Sequence, residues 1–102
     1  MNKTNDTEKE NLLKKIKYNE IKALCFIENE HFLQAEKLLL KNLSVNTDSC
    51  LTYNLLIRIY SENKNYPSLI KTINLAIKNT QNKELYKTLK KLIILNELIN
   101  LC

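Results

Sequence analysis

The sequence predicts an all-α chain of about five helices stacked as antiparallel hairpins, and three observations carry that reading. The first is composition. Of 102 residues 44% are apolar, dominated by Leu and Ile, with no glycine and one proline, so the residues that tight β-hairpin turns demand are missing. The second is periodicity, because apolar positions recur three and four apart along most of the chain. The third is a repeat. FIENEHFLQA, beginning at Phe26, is answered thirty-four residues later by YSENKNYPSL, beginning at Tyr60, and periods of this size belong to stacked helical hairpins.

Taken in order, residues 1–7 are polar and are expected to be flexible, ahead of a single domain over 8–102. Thr7 and Glu10 have the spacing in which each side chain caps the other's backbone. The apolar series Leu12, Leu13, Ile16, Ile21, Leu24 and Ile27 follows, so a first helix is expected from about 8 to 28. ENEH breaks the pattern, with Asn29 able to take the left-handed conformation that glycine normally supplies at a helix end. Phe32, Ala35, Leu38, Leu39 and Leu43 mark a second helix ending near Val45. NTDS is a capping cluster before Leu51, Leu55, Leu56, Ile59 and Tyr60 of a third helix. Pro67 suits the first turn of a fourth, where its missing N–H is not needed. That helix continues through Leu69, Ile70, Ile73, Ala76 and Ile77 to NTQNK, and a fifth starts near Glu84. The same shift sets Phe32 on Tyr66, Leu39 on Ile73 and Leu43 on Ile77, and then Leu51 on Leu85, Leu55 on Leu89 and Ile59 on Ile93. The fifth helix therefore reads as the first helix of an incomplete third unit, giving two and a half units.

The net charge of +5 comes from sixteen basic residues scattered among eleven acidic ones, which permits nucleic acid without implying it. The polar N-terminus is no secretory signal and LIIL is too short to span a bilayer, so a cytoplasmic, reducing location without membrane contact is expected. Three cysteines at unrelated spacings argue against a disulfide framework. Cys25 and Cys50 read as small core or near-core residues. With one histidine, no glycine and no phosphate-cradling loop, no catalytic residue, metal site or cofactor is expected. His31 is placed in the inter-helix turn, near the negative end of the first helix. Glu28 and Glu62 read as solvated helix ends.

Over residues 16 to 101 the chain resembles the tetratricopeptide repeat. Ala23, Phe26, Phe32 and Ala35 match that family's pattern in the first unit, and Tyr53, Leu56, Tyr60, Tyr66 and Ala76 match it in the second. Ile57 and Leu69 stand where small residues are usual, Glu30 and Lys64 replace the turn glycine, and Thr47 and Gln81 replace the closing proline. The resemblance implies a non-enzymatic protein–protein interaction module, an adaptor, scaffold or chaperone-type subunit, whose ligand groove is lined by the first helices. Lys17, Glu20, Leu24 and Ile27 would face that groove from the first helix, and Leu51, Asn54, Leu55 and Arg58 from the third. Leu85, Thr88, Leu89 and Leu92 would follow from the fifth. Members that clamp a chain-terminal carboxylate need Lys, Asn and Arg at several of these places, whereas this chain has Glu20, Leu24, Leu55 and Leu89. An apolar helix or extended peptide of a partner protein is the ligand such a groove prefers.

LTYNLLIRIY is similar to the opening of a pentatricopeptide repeat, an RNA-binding module, and keeps a small helical-repeat RNA-binding protein as the alternative. Its base-reading place falls on Glu20 or Leu55. Leu55 offers no donor or acceptor and Glu20 repels phosphate. Finally, LIILNELINLC sets apolar residues nearly all round the last helix, where a terminal helix should have a polar outer face. A homodimer or a heteromeric complex is expected, with Ile94, Leu98 and Leu101 at the interface.

Overall fold

The structure, a computed structural model, describes residues 3–101, with side chains over residues 7–97. Five helices and no strand occur among the described residues: α1 Lys3–Glu28, α2 Phe32–Ser44, α3 Cys50–Glu62, α4 Tyr66–Asn79 and α5 Lys83–Leu101. The fold class expected from the sequence is observed. The chain forms two compact units, Met1–Thr47 and Asp48–Cys102.

In the first unit α1 and α2 pack as an antiparallel hairpin closed by three residues. Helix α1 begins at Lys3 and not near residue 8, so Thr7 lies inside it instead of capping it. The physical reason is local: Lys3–Glu10 contains no Gly or Pro, and its Lys and Glu residues are good helix formers. The buried stripe of α1 is Ile16, Asn19, Glu20, Ala23 and Ile27, while Leu12, Leu13, Ile21 and Leu24 are exposed. Cys25 is exposed as well, which corrects the core assignment. It lies two residues, about 200° of helix, from fully buried Ala23. Helix α2 buries Ala35, Leu39 and Asn42.

The second unit holds α3, α4 and α5, with α4 packed against both others. Helix α4 buries Leu69, Thr72, Ile73 and Ala76. Leu69, Ile73 and Ala76 stand thirty-four residues beyond Ala35, Leu39 and Asn42, so the second helix of each hairpin turns the same positions inward. Asn65 caps α4 by accepting from the Ser68 N–H at 3.3 Å, and Pro67 occupies its first turn as expected. Cys50 is half-buried at the start of α3, and its Sγ accepts from Asn82 Nδ2 at 3.1 Å.

The repeat is most visible where helices end. After α1 the chain closes with His31 N–H donating to Phe26 O (2.8 Å) and Glu30 N–H to Ile27 O (2.9 Å). After α3 the same pair recurs thirty-four residues on, Asn65 N–H to Tyr60 O (2.9 Å) and Lys64 N–H to Ser61 O (3.2 Å). These crossed bonds are the Schellman closure, which needs one residue in the left-handed region. Glu30 (φ 61°) and Lys64 (φ 56°) supply it, and Asn29 does not. The closure fixes the left-handed place at the second residue past the helix, whatever side chain stands there. Phe26 and His31, the residues bracketing the first turn, bring their rings to 6.2 Å. Helix α2 ends the same way, with Asn46 (φ 53°) and bonds from Asn46 N–H to Leu43 O and Thr47 N–H to Asn42 O.

A left-handed residue with a Cβ costs roughly 1–2 kcal/mol, and glycine at that place gives back about 0.4–1 kcal/mol through the freer unfolded chain. Glu30→Gly and Lys64→Gly are therefore each expected to stabilise the protein by roughly 0.5–1 kcal/mol. Asn46→Gly should gain less, because asparagine tolerates this conformation. Urea unfolding of the three variants checks the order, and a loss of stability in the first two would contradict the closure described.

Candidate functional site

The residues singled out for a ligand groove lie on α1, α3 and α5 and are described unit by unit. On α1, Lys17 and Leu24 are exposed, while Glu20 and Ile27 are buried. On α3, Leu51, Asn54 and Arg58 are exposed and Leu55 is buried. On α5, Leu85, Thr88 and Leu92 are exposed and Leu89 is half-buried. Ile94 is exposed, whereas the side chains of Leu98 and Leu101 lie outside the described residues.

In the second unit a hydrogen-bonded seam sets α5 beside α3. Tyr86 Oη donates to Asn54 Oδ1 at 2.8 Å and approaches Cys50 O at 3.4 Å, and Asn82 reaches Cys50 one turn earlier. Both links join residues thirty-two apart, so the two helices run parallel in a register close to the repeat. Asn54 thus serves as the acceptor for a buried tyrosine, a role that groove reasoning missed. The signal available was Tyr86 itself, since a buried phenol requires a partner for its hydroxyl. Burial is the main cause that pushes the Tyr86 phenol far above its ordinary 10, with Cys50 beside it adding to the shift. Tyr53 is raised by burial too, opposed by the Asn79 amide that donates to its oxygen at 3.1 Å.

Four leucines on the two helices of this seam are exposed. Leu51 is 46% exposed, Leu85 64%, Leu92 58% and Leu95 53%. Leu92 also borders a cleft of about 340 Å³ formed with Ser61, Tyr66, Leu69, Ile93 and Asn96, at the end of α3 and the start of α4. Beside the strip, Arg58 pairs with Glu62 at 3.3 Å, both solvent-exposed. Such a pair is easily exchanged for another partner.

The first unit has a smaller cleft of about 200 Å³, lined by residues including Leu12, Ile16 and Val45 with Lys15 and Lys41. Its floor is a buried amide pair: Asn42 Nδ2 donates to Ile16 O at 3.1 Å and its Oδ1 accepts from Asn19 Nδ2 at 3.0 Å. Ala76 holds the equivalent place in the second hairpin. The amide pair fixes the register of α1 on α2, because a slip of either helix would strand buried polar groups. Among the described residues no buried side-chain nitrogen or oxygen lacks a hydrogen bond, and no group of three His, Cys, Asp or Glu is placed to hold a metal ion. No helix of the described residues is long and apolar enough to cross a membrane. No protein-family model, curated protein or solved structure matches the chain.

The Tyr86 seam carries a pH dependence with a definite sign. A phenol whose value is raised on folding holds its proton more tightly in the native state, so its contribution is complete below about pH 10 and is lost as pH rises beyond it. Tyr86→Phe is expected to cost about 0.5–1.5 kcal/mol at neutral pH and to flatten the fall in stability above about pH 10. Urea midpoints of both proteins across pH 8–11.5 test this. Parallel curves would mean that the Tyr86 hydroxyl is not withheld from water.

Proposed function

We propose that this protein is a non-enzymatic interaction module, of the adaptor, scaffold or chaperone-subunit kind, that takes an apolar helix or extended peptide of a partner protein on the strip beside the α3–α5 seam. The observation that carries this reading is the set of four leucines, Leu51, Leu85, Leu92 and Leu95, each close to half or more exposed. Surface leucines occurring singly need no explanation, but four on two helices joined by one seam, with a cleft beside Leu92, are the pattern expected of an interaction site. Covering a half-exposed leucine returns about 1 kcal/mol, so the strip can supply several kcal/mol to a complex. The likeness to tetratricopeptide repeats, in the thirty-four-residue shift and in the two helix closures that share it, supports the same use of the first helices.

Self-association belongs to this proposal. Ile94 is 45% exposed and follows Lys87 and Lys91 along α5, so among the described residues this side of the helix passes from cationic to apolar at Ile94. A copy of the chain, or a different subunit, seated there would bury it.

Two outcomes check these statements. A labelled, leucine-rich amphipathic peptide is expected to bind the protein, and Leu85→Glu with Leu92→Glu should weaken binding roughly tenfold or more, equivalent to about 1.4 kcal/mol. Both positions are largely solvated, so stability should move by no more than about 0.5 kcal/mol. The peptide should stay bound when salt is raised. Wild-type protein that ignores the peptide would sink the reading. Separately, light scattering is expected to give a dimer that Ile94→Lys converts to a folded monomer. A wild-type monomer at high concentration would remove self-association from the proposal.

A further inference from the structure

Charge is not spread evenly over this chain. Residues 1–62 carry nine basic and nine acidic side chains, whereas residues 63–97 carry seven lysines and two glutamates, a net charge of +5. That segment consists of α4, the part of α5 whose side chains are described, through Glu97, and the turns before them. The excess equals the net charge of the whole protein, and its position on the fold matters more than its size.

On α4 the lysines lie opposite the core. Lys71, Asn74 and Lys78 are spaced three and four residues apart and are all exposed, on the side away from Leu69, Ile73 and Ala76. On α5, Lys83, Lys87 and Lys91 recur every four residues along one stripe. Lys83 Nζ donates to Ile77 O (2.6 Å) and Lys78 O (3.3 Å), which puts that stripe on the flank of α5 next to α4. The helices are antiparallel, with Tyr66 and Leu69 lining the same cleft as Leu92, Ile93 and Asn96. Lys71 is therefore level with Lys91, and Lys78 with the start of α5. The acidic group on this face, Glu84, is 3.4 Å from Lys87, and both are exposed. No large apolar side chain of α4 is exposed.

We propose that this outer face of α4, with the flanking lysines of α5, binds the phosphate backbone of a nucleic-acid duplex without reading its bases. A face of lysines and amides offers charge and hydrogen-bond donors, which is the chemistry of phosphate contacts. It lacks the apolar centre that a protein interface needs, where lysine is depleted. It also lacks the exposed aromatic rings on which single-stranded bases stack and the apolar anchors that hold a helix in a lipid interface. Two packed helices some 20 Å long match about six base pairs of duplex at 3.4 Å per step. This face adjoins the exposed leucines on α5, where Lys91 stands one turn before Leu95, and the leucine and lysine variants tell the two proposals apart.

The test uses the full-length protein and a fluorescein-labelled 20-base-pair duplex RNA. Wild type is expected to bind at micromolar strength in low salt, with log K falling against log salt at a slope of roughly −3 to −4, the release expected for about four neutralised phosphates. Lys71→Glu, Lys78→Glu and Lys91→Glu together should weaken binding at least tenfold and make the slope shallower, while circular dichroism stays helical because all three side chains are solvated. Lys9→Glu, Lys14→Glu and Lys22→Glu, an equal change of charge on α1, should alter binding less than threefold. Equal loss in both triple variants would overturn the site. So would absence of duplex binding by wild type in low salt, or equal or tighter binding to phosphatidylserine vesicles, to a glutamate-rich peptide or to the single strand.

Discussion

Everything in this molecule hangs on how its helices stop. A helix end leaves four carbonyls without partners, and a chain without glycine lacks the residue that closes such an end at least cost. Three helices nevertheless end in crossed backbone bonds, with Glu30, Asn46 and Lys64 held at positive φ. The closures after α1 and α3 leave His31 and Asn65 in place to start the next helix. They return the chain antiparallel after three residues, and α2 and α4 then present matching positions to their partners. The strain is local and is carried by side chains in solvent, where Glu and Lys cost nothing by burial.

The parts of the fold that depend on spacing were legible in the sequence. Helix number, the breaks near Asn29 and Asn63, Pro67 in the first turn of α4 and the inward positions Ala35, Leu39, Leu69 and Ile73 all follow from periodicity and from the thirty-four-residue shift. Features that depend on backbone hydrogen bonding or on specific polar pairs were not. Asn29 was the better side chain for a left-handed residue, yet the bond pattern places that residue at Glu30. Polarity alone would put Asn19 and Asn42 in water, but each supplies what the other requires, and Leu13 and Ile21 are outside instead. Cys25 was misplaced because a small apolar residue in a helix was assigned inward without reference to the stripe it belongs to.

The candidate surfaces were partly legible for the same reason. Leu51, Leu85 and Leu92 could be named from the groove that the resemblance to tetratricopeptide repeats implies, but Asn54 could be understood only with Tyr86 beside it. Counting charges over the whole chain hid their segregation. A balanced half and a cationic half average to a mild value, and the sorting becomes visible when α4 and α5 are seen to share one face. The second unit therefore carries exposed leucines by the seam and a lysine face on α4 and the flank of α5, and the two adjoin on α5 where Lys91 stands one turn before Leu95.

The Tyr86 seam also bears on how the chain comes together. Its bond to Cys50 spans 36 residues, and the other side-chain bonds described within either unit span fewer. Loop-closure entropy grows slowly with length, but contacts this close in sequence begin with little to overcome, and chains dominated by such contacts are the fast folders among small proteins. The acceptors on α3 emerge from a ribosome before the hydroxyl that seeks them. A nascent α1–α2 hairpin can close while the second half is still being made, and α5 arrives last onto a partner already formed.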